Sequence, residues 1–514
     1  MNVRETIKLH LLLPQPAADP PHPPEVISVS PATRRIAFAY ERFRNTLEPD
    51  EEDILRRKAI YRILERRLPE DRPPVVTATA MLQELIRAHY IPPIDVRYAQ
   101  HIAARLAQVQ ALHAQLALPV FSWFLRLVAV AIDRDLYPRT REEALIQLMY
   151  QDTLARTVWA DDLVTDKDKA TQLYIACHRT LFAADDYEIM YHYFLHHFPQ
   201  WQNPQWSNEE LTYLARRLPK FREQLEHVTT HPARDRLTRL LKPVAVPYRI
   251  LRDIIHDYPE SFAGSEEDFV ITIREALTRR MRRIRERMGS RAWHSILFLF
   301  LTKTLIAVII ELPYELLILG RAHWLALAAN ISFHPLLLFG LATTARLPGQ
   351  RNSDRVVDQV QRIVTGRGEL PTIIISATRT YGALTWSFFA IIYAVLFMAI
   401  FGLLFSVLDR LGFSLLAMGM FVVFLGLVSF LSIRIRHAVD VVRVVPKREG
   451  AITAIISFLS LPVLEFGRWL AQNISQINVA LFIMDRVLEA PFKLLIDVTE
   501  EWFAFVRDRR EEIT

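Results

Sequence analysis

Residues 382–408 contain no charged side chain, and this apolar run constrains the fold more than any other feature of the sequence. A helix rises about 1.5 Å per residue, so a run of this length crosses the ~30 Å hydrocarbon core of a bilayer. A single lipid-exposed segment can satisfy its backbone hydrogen bonds internally only as a helix. The run therefore predicts a membrane-spanning helix and an integral membrane protein.

Three further apolar runs, at residues 294–320, 324–344 and 411–433, are also long enough to span the bilayer. Together the runs predict about four spans, with a first membrane hairpin at residues 294–344 and a second at residues 381–434. Charged or polar residues and one proline interrupt the first hairpin: Lys303, Glu311, Glu315, Asn330, His334 and Pro335. The first hairpin is thus the more polar of the two.

The basic residues beside these runs predict their orientation. Eight arginines lie between residues 274 and 291, six between 346 and 379, and five basic residues between 434 and 448. The two remaining connections carry one arginine each, Arg321 and Arg410. Because basic residues concentrate on the cytoplasmic side, both termini are predicted to be cytoplasmic. Arginine outnumbers lysine 53 to nine, which is typical of a GC-rich prokaryotic genome and suggests a plasma or inner membrane.

The part of the chain before the first span is predicted to be cytoplasmic. Residues 1–34 form a proline-rich tail or linker without a cleavable apolar core. Helical patterning fills residues 35–272, where Ser207 and Glu210 match a capping box. The apolar run at residues 120–132 is too short to span and contains Arg126, so it predicts the core helix of this domain. We expect an all-α fold with a cytoplasmic helical domain.

Three segments beside the spans complete the predicted architecture. Residues 273–293 form a basic juxtamembrane helix, and residues 345–380 form a basic cytoplasmic loop. Charged and large apolar residues alternate with helical spacing in residues 435–514, which predicts cytoplasmic or interfacial amphipathic helices. The alternative is that residues 451–470 span the bilayer and place the C-terminus outside.

The basic juxtamembrane helix carries an apolar stripe on a strongly basic surface. Beside a membrane span, this pattern predicts a helix that rests on anionic membrane lipids. A nucleic-acid partner is disfavoured because aromatic residues are not interleaved with the basic ones. The arginines predicted to face lipid are Arg279, Arg280, Arg282, Arg283, Arg285 and Arg287.

Polar residues inside the first hairpin are the main candidate site, because charged groups in a bilayer are costly. The predicted intramembrane polar cluster consists of Lys303, Glu311, Glu315, Asn330 and His334. A turn near His323 would place Glu311 at the depth of His334. Carboxylates and an imidazole at matched depth can handle protons or cations, whereas in the alternative they merely satisfy one another in a static hairpin.

Two weaker patterns complete the candidates. Gly412, Gly419 and Gly426 recur every seven residues, which predicts close packing against the third span or a second copy of the chain. His192 and His196 lie four residues apart and could bind one metal ion from one helix face. The aromatic residues between them favour a packed helix instead, so no metal site is predicted.

Known catalytic and cofactor-binding motifs are absent from the sequence, so no cofactor is predicted. The leading hypothesis is a non-enzymatic membrane protein whose cytoplasmic helical domain scaffolds or regulates protein partners. The alternative is a transporter or channel component that uses the polar cluster. Four spans would then have to form a homo-oligomer to enclose a path. A membrane-embedded enzyme is the least favoured hypothesis.

Overall fold

The computed structural model describes residues 26–27, 52–70, 72–160, 164–203, 205–321, 323–343, 347–376, 382–440, 442–445 and 451–476. Helices make up nearly all regular structure in these ranges, which confirms the predicted all-α class. Most of the proline-rich tail, and residues 477–514 of the predicted C-terminal helices, lie outside the described residues.

The chain divides into two compact units, which we treat separately. The N-terminal unit comprises the described residues of His10–Ala155 and Val164–Arg239. The C-terminal unit comprises those of Arg156–Leu163 and Leu240–Ile477. The division at residue 239 therefore differs from the predicted domain boundary at residue 272.

Helices of the N-terminal unit surround α4, the helix that contains the apolar run at residues 120–132. Phe124 of α4 is fully buried, and its ring meets those of Phe194 and Trp201 edge-on at 5.9 and 5.3 Å. The predicted capping box is present, with Ser207 and Glu210 bonded reciprocally at the start of α8. The helices are α1 (Glu52–Arg67), α2 (Pro74–Arg87), α3 (Arg97–His113), α4 (Leu118–Leu136), α5 (Thr140–Arg156), α6 (Asp166–Phe182), α7 (Asp186–His197), α8 (Asn208–Thr229) and the start of α9 (Arg234–Asp257), with 3-10 turns at Leu68–Glu70 and Pro199–Gln202.

A buried ion network links α1, α4 and α7. Asp133 accepts hydrogen bonds from Arg56 (Nε–Oδ1 2.5 Å) and Arg139 (Nη2–Oδ2 3.2 Å). Glu188 pairs with Arg57 (Nη1–Oε2 3.1 Å) and Arg139 (Nη1–Oε1 3.0 Å). Burial alone would raise the pKa of Glu188, but the surrounding guanidinium groups outweigh burial and hold that pKa below its usual value. Both carboxylates are therefore paired with guanidinium groups through each of their oxygens.

The C-terminal unit contains three helical segments that are long and apolar enough to cross a membrane: Glu266–Leu317, Trp324–Thr343 and Ala383–Arg410. The predicted fourth span, residues 411–433, lies in helix α15 (Leu415–Asp440). The described apolar stretch of this helix, Leu415–Ser429, is shorter than the three segments above, so this span stays a prediction. The helices are the rest of α9, α10 (Glu266–Ile306), α11 (Leu312–Leu317), α12 (Trp324–Thr343), α13 (Gln350–Thr365), α14 (Ala383–Arg410), α15 (Leu415–Asp440) and α16 (Ala451–Gln476), with a 3-10 turn at Pro259–Ala263 and a π-helical turn at Ala307–Glu311.

Residues 345–380, predicted as a basic cytoplasmic loop, include regular secondary structure. This segment contains α13 and the strand β2 (Ile373–Ser376), which pairs in parallel with β1 (Thr157–Ala160). Val356, Val360 and Val364 repeat every four residues and are buried on one face of α13. The prediction rested on the arginines of this segment and did not use the helical spacing of its buried valines. No strand was predicted, because four-residue strands carry little periodic signal.

The basic juxtamembrane helix and the first span are a single element. α10 runs from Glu266 to Ile306 without a break at residue 293, which is about 60 Å of helix at 1.5 Å per residue. At the other end, α15 continues to Asp440, so the predicted C-terminal segment does not begin a new helix at residue 435. The first described helix of that segment is α16.

Candidate functional site

In the apolar run at residues 294–317 of α10 and α11, one helix face is buried, although most of the run is exposed and apolar. Leu301 and Ile309, for example, are 58% and 61% exposed. The buried side chains repeat every four residues and are each at most 1% exposed: Leu299, Lys303, Ala307, Glu311 and Glu315. Charged groups thus lie inside the unit, and apolar groups cover its surface, as lipid requires.

A π-helical turn aligns Lys303 with Glu311. Eight residues of regular α-helix would rotate these side chains about 80° apart, and one bulged residue reduces the difference to about 20°. The turn covers Ala307–Glu311, and the Leu312 amide donates to the carbonyl of Ala307. Pro313 has no N–H for the carbonyl of Ile309, which favours this local change in hydrogen bonding. The two charges interact, but Lys303 Nζ makes no hydrogen bond within the described residues.

The polar residues of α12 face this stripe. Asn330 and His334 are fully buried, and Asn330 Nδ2 donates to Glu311 Oε1 at 2.7 Å. Glu315 Oε2 accepts the backbone N–H of His323 at 3.0 Å. The structure therefore brings together all five residues of the predicted polar cluster.

The register of the two helices differs from the predicted one by about one turn. Glu311 lies beside Asn330, whereas the sequence placed it at the depth of His334. The chain reverses at Gly320, which has a φ of +68°, a conformation that glycine adopts without strain. The turn was predicted near His323 and instead lies at Gly320. Because the turn comes earlier, Glu311 faces Asn330, which is one helical turn before His334.

Helix α15 forms a third side of the polar cluster that the sequence did not reveal. His334 Nε2 lies 3.0 Å from the carbonyl oxygen of Phe421, and the two rings meet edge-on at 4.6 Å. Lys303 Nζ lies 4.5 Å from the ring centroid of Phe424, a cation–π contact. Phe421 contributes its backbone carbonyl to this contact, and a backbone group has no signature in the sequence.

Hydrogen bonding in the polar cluster is incomplete. Lys303 Nζ, Glu311 Oε2 and Asn330 Oδ1 are buried without a hydrogen bond from any described residue. Each ring nitrogen of His334 faces a carbonyl oxygen, Nδ1 at 3.2 Å from Asn330 and Nε2 at 3.0 Å from Phe421. An imidazolium donates to both oxygens, whereas the neutral ring can donate to only one. The polar cluster therefore contains both donors and acceptors that are not hydrogen-bonded within the described residues.

The three predicted packing glycines lie in three different environments. Gly412, at φ +79°, occupies the turn between α14 and α15 and lies against His323. A Cβ on Gly419 would meet nothing within 4 Å, whereas one on Gly426 would lie 2.9 Å from the Phe466 ring. Gly426 and Gly467 mark a close crossing of α15 and α16. α16 therefore packs along α15 in the C-terminal unit.

The predicted lipid-facing arginines separate into two groups. Arg280 is only 16% exposed and bonds Asp253 of α9 at 2.6 Å. Asp257 of the same helix accepts ion pairs from Arg279 and Arg283 at 3.7 and 3.4 Å. The other three make no ion pair with α9: Arg282 pairs with Glu286, whereas Arg285 and Arg287 make no ion pair with the described residues.

The histidine pair does not form a shared metal-binding face. His192 is half-buried with Nε2 2.6 Å from Arg134 Nη2, and its ring centroid lies 4.6 Å from that of His178. His196 is exposed. Burial lowers the pKa of His178 to about 4, and burial together with the Arg134 charge lowers that of His192 well below its usual value. No group of three metal-binding side chains occurs in the described ranges.

Comparison of the chain with known protein families, curated proteins and solved structures yields no match. The chemistry of the polar cluster therefore has to be argued from its own residues.

Proposed function

We propose that the chain is a multi-pass membrane protein whose polar cluster conducts protons or small monovalent cations as part of a transporter or channel. The observation that carries this proposal is the incomplete hydrogen bonding of Lys303, Glu311 and Asn330, all of which are buried. Buried polar groups that serve only structure normally have partners, because an unsatisfied one costs about 1–3 kcal/mol. The polar cluster therefore has unpaired polar atoms that can bind an exchangeable proton or ion.

The charge balance of the polar cluster supports the same conclusion. Counted with ionised side chains, one lysine and two glutamates leave one excess negative charge, which a proton on a carboxylate or a monovalent cation would neutralise. Intramembrane carboxylates and histidines of this kind mark proton and ion pathways. The reaction needs no cofactor, since binding and release of the ion are the whole chemistry.

The positive-inside pattern supports cytoplasmic termini and a cytoplasmic N-terminal unit. Three or four spans are too few to enclose a path, so we propose a homo-oligomer in a prokaryotic plasma or inner membrane. α14 offers the surface for lipid or for a second copy, since only Phe401 and Leu408 of this helix are buried.

A flux assay tests the function. The purified chain, reconstituted in liposomes, is expected to carry protons, K⁺ or Na⁺ down an imposed gradient. Glu311→Gln and His334→Ala should reduce that flux at least tenfold. Thr304→Val is the matched control, because its hydroxyl bonds the carbonyl of Phe300 outside the polar cluster. If both cluster variants conduct like the parent, the proposal fails.

A scaffold or regulatory role is the second candidate. It is favoured by the N-terminal unit, which has its own core and two buried carboxylates, Asp133 and Glu188, bonded on each oxygen, a feature that a transport site does not require. Cytoplasmic proteins would then be the partners. Crosslinking and mass determination in detergent separate the two roles. A defined homo-oligomer supports a conducting assembly, whereas a monomer that captures soluble proteins supports a scaffold.

A further inference from the structure

A groove lies between α10 and the chain that follows α12. It has a volume of about 590 Å³ and combines two arginines, Arg282 and Arg285, with an apolar lining from Met281, Met288, Leu347 and Pro348. This volume is within the ~300–1,000 Å³ range of ordinary small-molecule sites. The groove is separate from the polar cluster.

Both sides of the groove lie close to an apolar span. Met288 precedes Trp293 by five residues, or about 8 Å of helix. Trp293 is 62% exposed, and tryptophan is enriched where a span meets the membrane surface. On the other side, Leu347 and Pro348 come soon after α12 ends at Thr343. The Met288 end of the groove thus lies nearest to the expected membrane surface.

The charge of the groove selects an anion. Arg285 is exposed and makes no ion pair with the described residues, and Arg282 pairs only with Glu286, at 2.9 Å, from a side chain that is 79% exposed. A guanidinium group binds phosphate oxygens through two parallel hydrogen bonds. The apolar lining beside it suits the first carbons of an acyl chain.

We propose that this groove is a binding site for one anionic phospholipid. Its phosphate lies on Arg282 and Arg285, and its acyl chains run past Met288 toward the bilayer. The proposal relies on the membrane placement given under Proposed function but not on ion conduction. It locates lipid recognition at one place, whereas the sequence predicted a basic surface distributed over α10.

Native mass spectrometry of the full chain tests the proposal. The protein is titrated in detergent with phosphatidylglycerol or phosphatidylcholine, and bound lipid is counted. We expect one tightly retained phosphatidylglycerol, and about tenfold weaker retention in Arg285→Gln, since a charge-assisted hydrogen bond is lost. Arg287→Gln is the matched control, because Arg287 is also exposed and unpaired among the described residues but does not line the groove.

Two results would overturn the lipid site. Equal loss in Arg285→Gln and Arg287→Gln would mean a distributed basic surface, and equal retention of the two lipids would mean no anion selection. Glu311→Gln separates this proposal from the conduction proposal. It should abolish flux while retaining phosphatidylglycerol, so failure of either proposal is visible on its own.

Discussion

The two units of this chain bury carboxylates in opposite ways. In the N-terminal unit, Asp133 and Glu188 are surrounded by guanidinium groups, and both are bonded on each oxygen. In the C-terminal unit, Glu311 has one bonded oxygen and one without a partner among the described residues, although it is equally buried. Saturation indicates a network that holds helices together, whereas incomplete pairing indicates a group that exchanges its partner.

This comparison predicts that removal of one charge destabilises the N-terminal unit most. Asp133→Asn leaves Arg56 without a buried counter-charge and removes one of the two buried partners of Arg139, and breaking such a pair costs about 3–5 kcal/mol. We expect amide hydrogen exchange in α1 and α4 of the full chain to accelerate at least a hundredfold. Glu226→Gln, in an exposed pair with Arg222, should change exchange by less than about threefold. Equal effects would contradict the assignment of a saturated structural network.

Protonation of His178 is expected to lower the free energy of unfolding of the N-terminal unit by roughly 3 kcal/mol. Its pKa is about 4 in the folded unit and 6.5 when unfolded, so the unfolded chain takes up the proton first. Stability is therefore complete above pH 6.5 and declines as the pH falls toward 4. Hydrogen exchange of α6 and α7 at pH 7, 6 and 5 should show this decline. His178→Gln should weaken it, whereas His196→Gln, at an exposed site, should not.

Packing of α15 against α16 gives a smaller effect. A Cβ on Gly467 would collide with the backbone oxygen of Gly426, whereas one on Gly419 would meet nothing within 4 Å. We expect Gly467→Ala to destabilise the C-terminal unit by about 1–3 kcal/mol, as overpacking does. Thermal unfolding in detergent measures this, with Gly419→Ala as the control. Unchanged unfolding in Gly467→Ala would show that the two helices do not cross there.

Glu311→Gln is expected to change stability least, although it should reduce ion flux most. Glu311→Gln keeps an acceptor for Asn330 and breaks no hydrogen bond to Lys303, so the net change should be smaller than that for Asp133→Asn, about 1 kcal/mol. The same thermal unfolding assay checks this expectation. A loss as large as that for Asp133→Asn would place Glu311 among the structural carboxylates and remove the contrast between the units.

The sequence predicted some parts of this structure for clear physical reasons. Charges within apolar runs are rare, so Lys303, Glu311 and His334 were identifiable as one buried cluster. The core helix at residues 120–132 followed from a run too short to span. The contribution of Phe421 could not be predicted, because a backbone carbonyl has no sequence signature. The turn at Gly320 sets which residues of α11 and α12 face each other. Matching the depths of polar residues in the sequence placed this register one helical turn away.

The most direct test of this contrast compares the protonation of Glu311 with that of Glu188. Infrared difference spectra of the membrane-reconstituted chain, recorded between acidic and alkaline pH, report carboxyl protonation. If Glu311 exchanges protons, its carboxyl band changes with pH and disappears in Glu311→Gln, while Glu188→Gln removes no band that responds over the same pH range. A spectrum that Glu311→Gln leaves unaltered would contradict the proposal that the polar cluster is an exchange site.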